Sequence, residues 1–229
     1  MCVDYSVRVG YNIHRKRGVV LEYVAPIFES AKKAKDFPIA PINSIHWEKE
    51  GFSRPESFAS VFAVENEGIH AVLWSFEDNI RRECKKRDDP VYTDSCLEFF
   101  IAPVEGDKRY MNFEVNPDGV YLCEIGEKRG ERRFIKELTD LEPVIMPMTL
   151  EEDGKTAWGY EIILSCKFIS ALYGIDFKVK ECKMKGNFYK CADLSSTPHY
   201  GAHFPVSTAE LGFHNPDCFG DIIFRKACP

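Results

Sequence analysis

The chain has 229 residues, of which 45% are hydrophobic, 29% charged and 13% aromatic, and its net charge is −6. That length suits one large all-β domain and buries roughly 70% of the unfolded surface, so disulfide staples are not needed. An acidic balance argues against nucleic acid or an anionic membrane surface as a partner. No run approaches the ~18 consecutive apolar residues of a membrane span.

The first twenty residues, "MCVDYSVRVGYNIHRKRGVV", hold no apolar core segment, so no signal peptide is visible. Nine cysteines, an odd number without CxxC spacing, fit free thiols in a reduced, cytoplasmic protein. A shortened secreted chain is the alternative. Cys96, Cys123 and Cys166 fall in predicted strands, where a free cysteine acts as a small hydrophobe.

From there strand signals follow one another: "ASVFAV", "IHAVLWSFED", "SCLEFFIAP", "YMNFEVN", "VYLCEIG", "VIMPMTL", "WGYEIILS", "DFKVKECKM" and "DIIFRKA". Asn116-Pro117-Asp118-Gly119 has the residue preferences of a type I turn and joins strands predicted near 109–116 and 119–126. "ELTDLEP" and "CKFISALYG" are the two short helical candidates, the second between two strands. The segment 186–218 is rich in turn formers and aromatics. It reads as a long ordered loop folded over one face. The fold class that follows is all-β, an antiparallel, jelly-roll-like β-sandwich, in a single domain over 1–229.

Enzyme signatures are sparse: there is no GxSxG, HExxH, Walker loop or GxGxxG after a strand. His199, His203 and His214 suggest a metal trio, but Pro198 and Gly201 oppose the helix that would align the first two. The stronger pattern lies on "YMNFEVN". Met111, Phe113 and Val115 form an apolar row, while Asn112, Glu114 and Asn116 form a polar one. Glu98 and Glu161 likewise interrupt strands that are apolar on both sides, and a buried carboxylate must be paired or used. Tyr92, just before the Glu98 strand, offers a flat face for a sugar ring. An aromatic platform beside an amide and carboxylate fork suits sugar hydroxyls.

The stretches "DPVYTDSCLEFFIAP", "YMNFEVNPDGVYL" and "GNFYKCAD…PHYGAHFP…FHNPDCFGDIIF", in that order, resemble the family 9 carbohydrate-binding modules and their DOMON-like relatives. The resemblance runs from "LWSFEDNIR" to "FGDIIF". It implies a β-sandwich that binds glycans without cleaving them, in the service of carbohydrate catabolism, with an oligosaccharide or polysaccharide as partner. It further implies structural calcium and no other cofactor. Carried over residue by residue, Tyr92 is the aromatic before "DS", Glu98 the strand carboxylate, and Glu114 and Asn116 the polar pair. Tyr200 or Phe204 supplies a second aromatic from "PHYGAHFP". With Asn112, His199 and His203 these residues form the expected ligand set, in which Tyr92, Glu98, Glu114 and Asn116 converge on one cleft roofed by 198–204. Tyr92 stands where such members carry Trp, and Glu114 where they carry a basic residue. Two rival readings stay open: a glycan-processing enzyme or accessory subunit using Glu98 and Glu114, and a haem- or metal-binding DOMON-type module using Met111 with His199 or His203.

Overall fold

The structure, a computed structural model, describes residues 22–227 apart from 36, 46 and 48–53. Among these, the strands in chain order are β1 (Glu22–Phe28), β2 (Ala40–Pro41), β3 (Ser44–Ile45), β4 (Glu56–Val64), β5 (Gly68–Phe76), β6 (Cys96–Ala102) and β7 (Tyr110–Val115). They continue as β8 (Tyr121–Gly126), β9 (Arg133–Phe134), β10 (Val144–Glu152), β11 (Lys155–Ser165), β12 (Cys182–Cys191), β13 (Tyr200–Ala202) and β14 (Gly220–Lys226). One helix of regular α geometry, α1 (Cys166–Tyr173), sits between β11 and β12.

The sheet runs β10-β11-β5-β4-β1-β14-β12-β6-β7-β8-β9. β1 pairs in parallel with both β14 and β4, while the other pairings are antiparallel. This path curls so that its two halves face each other. Tyr160 on β11 donates its hydroxyl across the interior to Leu97 O on β6, at 3.1 Å.

Alternation along the strands decides which side chains meet in that interior. Leu97, Phe99 and Ile101 of β6, Met111, Phe113 and Val115 of β7, and Tyr160, Ile162 and Leu164 of β11 all pack there. Their alternates do not reach open water. Cys96, Phe100 and Tyr110 join a second apolar cluster with Phe213 and Phe219 from the C-terminal segment. β6 and β7 are therefore buried on both faces, and a polar group on either face needs a partner. Glu161 finds one on the outside of the other half: its Oε1 lies 2.9 Å from His70 Nδ1.

Turns and caps follow local chemistry. Gly119 N–H donates to Asn116 O at 2.9 Å, and Gly119 takes φ 77°, which closes the β7–β8 hairpin at the expected Asn-Pro-Asp-Gly turn. The Ser165 side chain accepts from Phe168 N–H, and Gly174 ends α1 in the left-handed region at φ 70°. That cap places Cys166 at the first position of the helix and not in a strand.

Three expectations shift. The strand expected at "DFKVKECKM" begins only at Cys182, and β12 then runs through Cys191 into the expected loop. Gly186 and Asn187 look like turn formers, but Asn187 is fully buried. Its Nδ2 donates to Phe204 O, and its Oδ1 accepts from the N–H groups of Phe188 and Phe204, each at 2.9 Å. A loop-type side chain here straps the covering segment onto the sheet. "ELTDLEP" forms no α-helix; a 3-10 turn over Ile135–Glu137 ends where it begins.

Candidate ligand-binding cleft

A cavity of about 510 Å³ opens over the outer face of β6, β7 and β8. Its floor carries Glu98 and Glu114, which are register partners on adjacent strands. Both are only 3% exposed. Tyr92 stands at the rim in a 3-10 turn over Val91–Thr93 and is 41% exposed. Asp193 N–H holds that turn by donating to Tyr92 O at 3.1 Å. Opposite walls come from Trp47, Tyr200 and Phe213; Trp47 meets Tyr200 edge-on at 5.8 Å and Phe213 at 5.6 Å. Tyr200 is held in place because β13 pairs with the end of β12, Tyr200 against Cys191.

Alongside Glu114, on the same face of β7, a polar network orients it. Asn112 donates Nδ2 to Glu114 Oε1 at 2.8 Å and accepts Arg132 Nε on its own Oδ1 at 3.1 Å. Arg132 lies over the Tyr110 ring at 4.1 Å and donates Nη2 to Tyr110 O and Glu124 O. His214 Nδ1 is 3.0 Å from the Tyr110 hydroxyl. Burial first, and then the positive charges of Arg132 and Arg129, push the His214 pKa down to about 3, so the ring is neutral. Glu114 Oε2 is buried and has no hydrogen-bond partner.

Burial raises the pKa of both floor carboxyls, that of Glu114 to about 7. For Glu98 the second cause is the charge of Glu114 beside it; the Cys191 thiol, donating to Glu98 Oε1 at 2.9 Å, pulls the other way. Two carboxylates opposed on a buried sheet face cannot both ionise cheaply. The pair therefore holds a proton near neutral pH, and one carboxyl can donate as well as accept.

The expected ligand set divides. Tyr92, Glu98, Glu114 and Tyr200 come together in this cleft, and Asn112 supports Glu114 from beside it on the same strand. Asn116 does not line it. Its Nδ2 donates to Cys84 O and Asp94 Oδ2, and its Oδ1 accepts from the N–H groups of Asp118 and Val120, so every hydrogen-bonding position is used. Asn116 clasps the 81–94 segment that carries Tyr92. Replacing Asn116 by Ala is expected to lower stability by about 1–3 kcal/mol while leaving ligand affinity of the folded protein unchanged, as paired melts and titrations would report. Phe204 packs in the core, where its ring covers Gly220. His203 Nδ1 lies 2.9 Å from Pro41 O, wedged between Tyr23, Phe188 and Phe204. His199 faces a second, larger cavity of about 970 Å³. There Glu77 already accepts from Ser95, Trp158 and Lys190, at 2.8, 3.0 and 3.2 Å. The three histidines thus take separate partners, and Met111 lies in the core, on the face of β7 away from the cleft.

Trp47, Arg132 and Phe213 are cleft residues that sequence reading passes over. Trp47 sits outside any strand pattern, and "GEKRGERRF" reads as an ordinary solvated charge run. Among the described residues, one group of three metal-ligating side chains gathers its donor atoms within 4.8 Å: Cys96, Glu98 and Cys191. Calcium takes six to eight oxygens, and this set of two sulfurs and a carboxylate does not fit it.

The model of one protein family, carbohydrate-binding family 9, matches residues 27–224. The chain belongs to carbohydrate-binding family 9. Among solved structures, this family 9 chain is similar to a candidate carbohydrate-binding protein from Bacteroides uniformis ATCC 8492, with a TM-score of 0.71 and 22% identity over 89% of this chain and 99% of that one. A family 9 module from Caldicellulosiruptor kristjanssonii in complex with glucose aligns with a TM-score of 0.56 and 11% identity, covering 90% of this chain and 97% of that one. The complex with cellotriose gives 0.54 and 10%, over 90% and 95%. No curated protein matches the chain. These likenesses share the fold: a curled, mostly antiparallel sandwich.

Proposed function

We propose that the cleft over β6 and β7 binds carbohydrate, stacking a sugar ring on Tyr92 and taking its hydroxyls on Glu98 and Glu114. The observation that carries this reading is Glu114 Oε2, a buried carboxylate oxygen left unpartnered on the floor of an aromatic-walled cleft. An acceptor in that state is costly until a ligand hydroxyl reaches it. The volume is that of a small-ligand pocket. Family membership supports a saccharide, as do the glucose and cellotriose held by the Caldicellulosiruptor module. Trp47 and Tyr200 offer the second aromatic wall.

An array of mono- and oligosaccharides in gluco, xylo, manno and galacto series, followed by calorimetry, tests the reading. Glu98→Ala is expected to weaken binding about two- to tenfold, since a hydrogen bond to a neutral carboxyl contributes about 0.5–1.5 kcal/mol. Tyr92→Ala should weaken it without moving the melting temperature, because the ring is already 41% exposed. Absence of binding across the array would sink the proposal. Release of reducing sugar in the same samples would replace it with a glycan-processing activity.

A further inference from the structure

We propose that Cys96, Cys191 and Glu98 form a three-donor site for a thiophilic divalent ion of the zinc type, with its fourth position open to the cleft. The geometry is set by the sheet. Cys96 and Cys191 are register partners across β6 and β12. Glu98 follows Cys96 by two residues and so shares its face. One donor atom from each lies within 4.8 Å of the others. Two sulfurs and a carboxylate oxygen at that spacing suit a d10 ion of tetrahedral preference, and three protein ligands with one open position is the form of a reactive zinc site.

A second observation points to a ligand beside these donors. Glu114 is opposite Glu98 in register, only 3% exposed, lines the cleft, and keeps Oε2 without a partner. A water or sugar hydroxyl on the open position would find the Glu114 carboxyl beside it as hydrogen-bond partner. Only that last step rests on the carbohydrate reading. Orienting partners of this kind are a regular part of metal sites. Here Glu114 is itself fixed by Asn112.

Charge is balanced in the exchange. Both thiols are buried in the ion-free protein, Cys96 with no exposed surface. On coordination each Sγ–H bond breaks, an Sγ–metal bond forms, and the proton leaves to solvent. Two thiol protons depart as one doubly charged ion enters, Glu98 binds as carboxylate and the proton of the carboxyl pair rests on Glu114, so the buried net charge is unchanged and no oxidant or reductant takes part. Cys191 and Glu98 line the cleft, with Cys96 buried behind them.

The test uses metal ions alone, so its outcome is separate from that of the sugar array. Reduced, chelator-treated full chain is titrated with Co2+, then with Zn2+. One equivalent of Co2+ should give a thiolate-to-cobalt charge-transfer band that Zn2+ abolishes. Cys96→Ser and Cys191→Ser should each weaken uptake by more than about tenfold, the least that loss of a ligand's supporting partner costs. Cys182→Ser, a half-buried thiol in the other half of β12, should leave it unchanged. Should the cleft variants fold poorly, X-ray absorption of the Zn2+-loaded wild-type chain decides: sulfur neighbours at about 2.3 Å are expected. A folded, reduced wild-type chain without the charge-transfer band overturns the proposal. So does a zinc spectrum without sulfur neighbours.

Discussion

Phe113→Ala is expected to destabilise the protein by about 3–5 kcal/mol, the usual cost of emptying a buried aromatic position. Phe113 has no exposed surface. It sits at the middle of β7, between Phe99 on β6 and Cys123 on β8, with the Phe168 ring of α1 at 6.3 Å. Strands on both sides are held by ladder hydrogen bonds and cannot close the gap, so most of the cavity would persist. Denaturant melts should show a lower midpoint with an unchanged slope, meaning lost stability without a change in the surface exposed. A loss below about 1 kcal/mol would contradict the alternation that puts Phe113 inside and its neighbours Asn112 and Glu114 outside. The cleft over β6 and β7 depends on that same alternation.

How far the sequence reaches follows from the same residues. Period-2 patterning placed the core rows of β6, β7 and β11, and the Asn116–Gly119 turn fixed the β7–β8 hairpin, because both signals are local. The polar row on β7 was legible as unusual, and two of its members, Asn112 and Glu114, do serve the cleft. Asn116 was not separable from them by parity. Only its partners Cys84 and Asp94, more than twenty residues earlier, show that its amide is spent on a loop. Phe204 and Tyr200 look equivalent in "PHYGAHFP"; which faces the cleft is decided by β13 pairing with Cys191 and by the Asn187 strap. β1 has parallel neighbours and no hairpin turn to announce it. Trp47 and Arg132 reach the cleft from segments without periodicity. What the sequence hides, in each case, is a long-range contact.

The opposed carboxyls predict a pH dependence that can be isolated. The folded-state pKa of Glu114 is about 7, and that of Glu98 is also raised, against about 4.3 for an unfolded glutamate. Across that window the folded protein holds protons that the unfolded chain has lost. Their contribution is fully present below about pH 4.3 and is lost as pH rises through about 7, by up to about 1.4 kcal/mol per pH unit for each proton held. The buried histidines act in the opposite sense. His199 is depressed to about 4 and His214 to about 3, in each case chiefly by burial, and His203 is also lowered. Their contribution is present above about 6.5 and is lost as pH falls. Wild-type stability between pH 4.5 and 6.5 is therefore a balance of two slopes, and its curve alone decides nothing. The difference between wild type and Glu98→Gln removes the histidines, which both proteins share. The substituted amide keeps the shape of the side chain without the ionisable group, and Glu114 then has no titrating carboxyl opposite it. Measured with chelator present, Glu98→Gln should gain on wild type progressively from pH 5 to pH 8. Glu114→Gln should do the same, and the double variant should gain less than the sum, because the partners share one repulsion. A difference curve flat from pH 5 to pH 8 would mean that the two carboxyls titrate as ordinary surface groups, and the polar floor of the cleft would have to be redrawn.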